Sequence, residues 1–290
     1  MSNASLKLPK SLEDLCRNVY SHFSLSSLRT KAFHEFQDFF NVKQHKLLKP
    51  GHTRWLSMKM CVDRLLEQYE ALKLYFTQVG LEDPTNVHDT IMRSLNNQFT
   101  LAYLEFLAFN LGRLASFNTL FQSSLPLLHL LRKELTTLVT GMCSDFMKTE
   151  YIKSRAVEKI DVDNKEHYLP INQVYIGLAA TSTVQSIARE LGYDHPDVRL
   201  FYSHCRDFVR ECVGQILSRL DNIGDFDFLS CLSPEVAQNL TLPSLAPIFE
   251  RLPYLKDVVD LQQTDLEWRQ LSMSSSVKKF RSQCVLAISF

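Results

Sequence analysis

Residues 55–79, WLSMKMCVDRLLEQYEALKLYFTQV, decide the fold class, because Trp55, Met58, Val62, Leu65, Tyr69, Leu72, Phe76 and Val79 recur at spacings of three and four. Such a stripe, about seven turns long, makes one face of a helix apolar, and that face must be covered. Gly80 stands where the helix would end. The seam also has the form of an intermolecular coiled coil, but its short length and few flanking charge pairs favour packing within one chain.

Working outward, the neighbouring segments have the same character. Ser11 is placed to cap a helix carrying Leu12, Leu15, Val19 and Phe23, and the break at residues 24–27 starts another with Leu28, Ala32, Phe36 and Phe40 on one face. A short helix is expected over residues 85–97, with Val87, Ile91 and Leu95. From 98 to 122 apolar residues point in nearly every direction, which predicts a central helix surrounded by others. Residues 126–147 read as its return. Residues 149–170 are charged and aperiodic and read as an exposed loop. Two more helices are expected, over 172–191 with Gly192 as the stop and over 196–220 with Pro196 in the first turn. Ser233-Pro234-Glu235 starts a short helix, prolines at 243, 247 and 253 divide the chain beyond it into short pieces, and a last helix runs over 255–271. The serine-rich tail, 272–290, departs in composition and is read as a truncated or alternatively spliced end.

Composition supports helical packing. The chain of 290 residues has only 8 Gly, against 19 Phe, and 45% of its residues are hydrophobic. More than half of it should be helix. Lys and Arg balance Asp and Glu at 32 each, so bulk charge selects no partner. Seven Cys without a CxxC pair argue against a disulfide framework or a self-contained zinc site and favour a reducing compartment. The first ten residues lack the apolar core of a signal peptide, and no apolar run has the length of a membrane span. A soluble intracellular protein with no membrane partner is expected.

Local charge is more informative. Between Phe39 and Val62 there is no acid, whereas Lys43, Lys46, Lys49, Arg54 and Lys59 are basic and His45 and His52 add charge at low pH. A phosphate backbone attracts such a surface, and an indole beside a guanidinium, Trp55 beside Arg54, can stack on an unpaired base. Residue chemistry alone favours Trp55 as the first core residue of the apolar stripe over a base-stacking role. No GxSxG, HExxH or Walker loop occurs, and no small-molecule substrate or cofactor is implied. His204, Cys205 and Cys212 share a helix but read as packing, and His88 and Asp89 read as helix surface.

The order of these pieces resembles a known family. SLEDLCRNVYSHFSLSSLRTKAFHEFQ, a basic linker, HTRWLS and RLLEQYEALKLYF together resemble the latter part of hAT-family DNA transposases and their domesticated relatives. The resemblance implies a mostly α chain: a helical insertion domain, residues 81–252, within an incomplete RNase H-like remnant formed by residues 1–80 and a returning helix, 253–271, where LQQTDLEWRQL is similar to the point of resumption. It further implies that Arg54 and Trp55 match residues that hold a flipped base at a transposon end. Glu267, or Asp265, matches the third of the family's three metal-binding acids, while the first two and a Cys-x-x-His motif would lie upstream of Met1. One carboxylate cannot hold two metals for strand cleavage. The expectation is therefore a nuclear, transposase-derived protein, catalytically inactive as a single chain, with DNA, protein partners or its own copies as partners. The alternative is a purely structural interaction module that binds no nucleic acid.

Overall fold

The computed structural model describes residues 2–50, 55–82, 86–122, 127–219, 228–229, 231–232, 236 and 244–271. Helix dominates them, as the low glycine content and the apolar stripes require. The β pairing among the described residues is one isolated antiparallel bridge, between Met147 and Tyr168. No helix among them is long and apolar enough to cross a membrane. By compactness the chain divides into two units, Met1–Ala115 with Thr140–Gln215, and Ser116–Val139 with Ile216–Phe290.

The larger unit begins with a single turn, α1 (Ser2–Ser5), and α2 (Lys10–Ser24). The stripe Leu12, Leu15, Val19 and Phe23 is buried as its spacing demands. Ser11 does not cap this helix. Pro9 occupies the N-cap without a side-chain hydrogen bond and Ser11 lies within the first turn, since the fixed φ of proline already suits entry into a helix. Ser26 caps α3 (Ser27–Phe39), its hydroxyl accepting from the Arg29 N–H at 3.3 Å. The buried side of α3 is rotated from the one expected: Phe33 and Gln37 are buried with Phe36 partly covered, whereas Leu28 and Phe39 are 77% and 74% exposed. The packing of α3 on α2 and α5 selects that side.

The central stripe forms α4 (Trp55–Glu67) and α5 (Tyr69–Glu82) instead of one helix ending at Gly80. The break is a single turn residue, Gln68. The hydrogen-bond ladder continues through it, from the Gln68 N–H to the Arg64 carbonyl at 3.2 Å and from the Leu72 N–H to the Gln68 carbonyl at 2.8 Å. Val62, Leu65, Tyr69, Leu72 and Phe76 are buried, joined by Cys61, Ala71 and Tyr75. This buried face is wider than a coiled-coil seam, as intramolecular packing requires. Next, α6 (Asn86–Asn96) packs on α5 and α2 through Ile91 and Leu95. His88 is not a surface residue: it is 4% exposed, its ring 5.1 Å from that of His22 and 5.9 Å from Phe76.

The segment 98–122 becomes α7 (Thr100–Phe121), with Leu104, Phe106 and Leu111 almost fully buried. A 3-10 turn at Leu128–Leu130 leads into α8 (Leu131–Ser144), and α9 (Thr149–Lys153) follows. Residues 149–170 are not an exposed loop. Tyr151, Ile152, Val157, Ile160 and Val162 are buried, the Tyr151 hydroxyl accepts from the Asp161 N–H at 3.0 Å, and the Tyr168 hydroxyl donates to the Val162 carbonyl at 2.7 Å. These apolar residues have no helical period, so periodicity gives no sign of their burial. Gly177, at φ 89, starts α10 (Leu178–Leu191), where a Cβ would lie 2.9 Å from Phe109 Cγ. Gly192 stops that helix at φ 103, and Pro196 opens α11 (Pro196–Leu217), both as expected.

In the smaller unit, α12 (Ala246–Arg251), a 3-10 turn at Pro253–Asp257 and α13 (Leu261–Leu271) enclose Cys231, Leu245, Ile248 and Trp268. The last helix starts later than expected because the Asp260 side chain accepts from the Gln263 N–H at 2.9 Å and caps it there. Residues 233–235 and the tail 272–290 lie outside the described residues.

Candidate nucleic-acid interface

The basic stretch between α3 and α4 has neither helix nor sheet to satisfy its backbone, so other groups must. Asn41 turns the chain at φ 53, a left-handed conformation that asparagine tolerates, and the Val42 N–H returns to the Gln37 carbonyl at 3.0 Å. From there side chains of the neighbouring helices hold the carbonyls. Gln68 Nε2 donates to Lys43 O at 2.9 Å, Gln37 Nε2 to His45 O at 3.3 Å, Arg64 Nη1 to Lys46 O at 3.2 Å, and Cys61 Sγ to Leu48 O at 3.4 Å. Residues 61, 64 and 68 are spaced three and four apart, on one side of α4 and the turn residue that follows it. The stretch therefore runs antiparallel to that helix. Val42 and Leu47 pack against the core, and Pro50 is buried.

With the backbone held from below, Lys43, Lys46 and Lys49 recur every third residue and are all exposed. Among the described residues no ion pair reaches them. The other local cations differ. Lys59 pairs with Asp63, while Glu67 lies 3.0 Å from His45 Nδ1 and 3.1 Å from Arg64 Nε. Gln44 donates to Asp38 at 2.8 Å. The acid-free character of residues 39–62 is thus a property of the sequence, because the fold returns Glu67 to His45. Arg54, His52 and the side chain of Trp55 lie outside the described residues.

Other candidates are not brought to the basic stretch. Glu267 accepts from Gln263 Nε2 at 2.7 Å, and Asp265 pairs with Arg269 at 3.0 Å, both exposed contacts within α13 of the smaller unit. Cys205 and Cys212 are buried, and burial pushes both thiols up, Cys212 to about 12. His204 Nδ1 sits 2.8 Å from the Tyr103 hydroxyl, and desolvation lowers its pKa. Among the described residues no three His, Cys, Asp or Glu side chains are grouped so as to hold a metal ion.

Four residues essential to this geometry escaped the sequence reading: Gln37, Cys61, Arg64 and Gln68. A signal existed for two of them, since Gln37 and Gln68 occupy core-spaced positions among apolar neighbours. A buried amide at such a position implies specific partners. Another buried polar group is His22, whose Nε2 lies 3.0 Å from the Tyr75 hydroxyl. Burial, then the nearby Arg29 and His88, lower its pKa to about 4.

No family model, curated protein or solved structure matches the chain.

Proposed function

We propose that this is a transposase-derived protein of the hAT type, an RNase H-like remnant with a helical insertion, inactive as a nuclease in this single chain and acting in the nucleus as a nucleic-acid-binding protein. The family reading rests on the resemblance of residues 11–79, and the nucleic-acid-binding role is supported by the row of Lys43, Lys46 and Lys49, exposed on a backbone held at four carbonyls by Gln68, Gln37, Arg64 and Cys61. A held row of charges loses less freedom on meeting phosphates than a free loop would. Arg54 and Trp55, just beyond it, are proposed to engage an unpaired base.

The test is duplex DNA binding measured across a salt series. Wild type should bind weakly with a clear salt dependence, and changing all three lysines to glutamine should lower the slope of log K against log salt by about 2.7, three phosphates at about 0.9 each. An unchanged slope would sink the proposal. Trp55→Ala should weaken binding to DNA with an unpaired base by about 1–3 kcal/mol and spare plain duplex. A general loss of stability in that variant would instead assign Trp55 to the core.

A second reading, self-association, has its own support. Leu25, Leu28 and Phe39 are largely exposed at the two ends of α3. Sedimentation at increasing concentration tests it: a strict monomer removes it.

A further inference from the structure

Two cysteines from different helices meet in the core of the larger unit. Cys16 on α2 and Cys61 on α4 are 4% and 2% exposed within one apolar cluster, and the Cys16 S–H donates to Cys61 Sγ. Cys61 Sγ in turn donates to the Leu48 carbonyl at 3.4 Å. A relay of two thiols therefore ends on the backbone of the basic stretch.

Burial by itself makes a thiol inert, and it pushes Cys143 and Cys212 up to about 12 and Cys205 well above the ordinary range. The pair is different. The hydrogen bond that Cys61 accepts from Cys16 lowers the pKa of Cys61, while the same bond, with burial, holds the Cys16 thiol well up. The thiolate is the nucleophile, so a thiol beside a partner that can take its proton is the reactive one.

Access is provided as well. Cys16 lines a groove of about 180 Å³ together with Met58 and Val62, which flank Cys61 on α4, and the exposed Leu6 and Lys10 lie on the same groove. One water needs roughly 10–15 Å³ of such space, and hydrogen peroxide is little larger. Leu12, Leu107 and Leu111 make the walls apolar, which favours an uncharged molecule over an ion.

We infer that Cys16 and Cys61 form a peroxide-sensitive dithiol, whose oxidation to a disulfide releases the basic stretch at Leu48. Cys61 loses its proton to water and takes that of Cys16. The Cys16 sulfur attacks one peroxide oxygen, the O–O bond breaks, and the departing hydroxide is neutralised by the released proton, leaving Cys16 as a sulfenic acid. The Cys61 sulfur then attacks the Cys16 sulfur, the S–O bond breaks, and hydroxide leaves with the Cys61 proton as a second water. Two electrons have passed from the sulfurs to peroxide. A disulfide sulfur carries no hydrogen, so the Leu48 carbonyl loses its donor.

Peptide mapping of the full chain by mass spectrometry tests this, after treatment of the reduced protein with hydrogen peroxide and alkylation of the remaining thiols. A Cys16–Cys61 peptide pair, two hydrogens lighter than the separate peptides and removed by dithiothreitol, should form at least about tenfold faster than Cys143, Cys205 or Cys212 is oxidised. Amide hydrogen exchange over residues 46–49 should be faster in the oxidised protein. Cys61→Ser, checked by circular dichroism, should stop at a Cys16 sulfenic acid that dimedone traps. Should that variant not fold, the wild-type map and exchange still decide the matter. Cross-links to other cysteines, or oxidation of Cys16 and Cys61 no faster than of the three buried controls, overturn the dithiol, and a disulfide that leaves exchange unchanged overturns its link to the basic stretch. Neither readout involves nucleic acid, so failure of the proposed function would show separately, in the salt series.

Discussion

Residues 42–50 and 149–170 both lack long helices, and both are held in place, but by opposite means. The longer segment buries its own side chains, Tyr151, Ile152, Val157, Ile160 and Val162, and bonds its backbone partly through its own tyrosines. The shorter one is held by its neighbours, through Gln37, Cys61, Arg64 and Gln68. A segment that supplies its own anchors has few side chains left for other work. One anchored from outside can present three lysines to a ligand.

If that contrast is right, truncating an anchor in the longer segment should have the largest effect on stability and none on recognition. Tyr151 is buried, its ring stacked on His167 at 3.8 Å. Tyr151→Ala should lower the unfolding free energy by about 3–4 kcal/mol in urea titration while the folded fraction keeps its DNA affinity. A selective loss of DNA binding would break the comparison.

Removing an outside anchor should act on both properties. Gln68→Ala leaves the Lys43 carbonyl and the Gln37 amide each short of a partner, at about 1–3 kcal/mol. Amide hydrogen exchange should rise over residues 42–48 and DNA binding should weaken. Unchanged exchange there would mean that the other three anchors suffice.

The core behind the anchoring helices has a pH signature of similar or smaller size. His22 has a folded pKa of about 4 against an ordinary 6.5, so the unfolded chain takes up its proton first as pH falls. Its contribution is present in full above pH 6.5 and is lost progressively as pH falls from 6.5 toward 4, on the order of 3 kcal/mol. His22→Phe should flatten the stability profile over that window. A profile as steep as wild type would reassign the acid sensitivity to another group.

The smallest stability effect should come from the lysines. Changing Lys43, Lys46 and Lys49 to glutamine should alter stability by less than about 0.5 kcal/mol per site, because these exposed side chains make no ion pair among the described residues. A larger change by thermal denaturation would show that they serve the fold as well as a ligand.

What the sequence by itself determined is the helices that a local period or a stop signal can mark. Val62, Leu65, Tyr69, Leu72 and Phe76 lie on a buried face, Gly192 and Pro196 separate two helices, and the lysines stand clear of the apolar pattern. These features arise from side-chain spacing within a few turns. The side of α3 that is buried, the pairing of His45 with Glu67 and the burial of His88 were decided by tertiary structure. Each depends on which distant residue arrives opposite, and no local spacing specifies that. The same holds for the candidate site. Its cations are legible as a run of residues, but their presentation depends on carbonyl acceptors that meet Cys61, Arg64 and Gln68 only when the chain has folded back along α4.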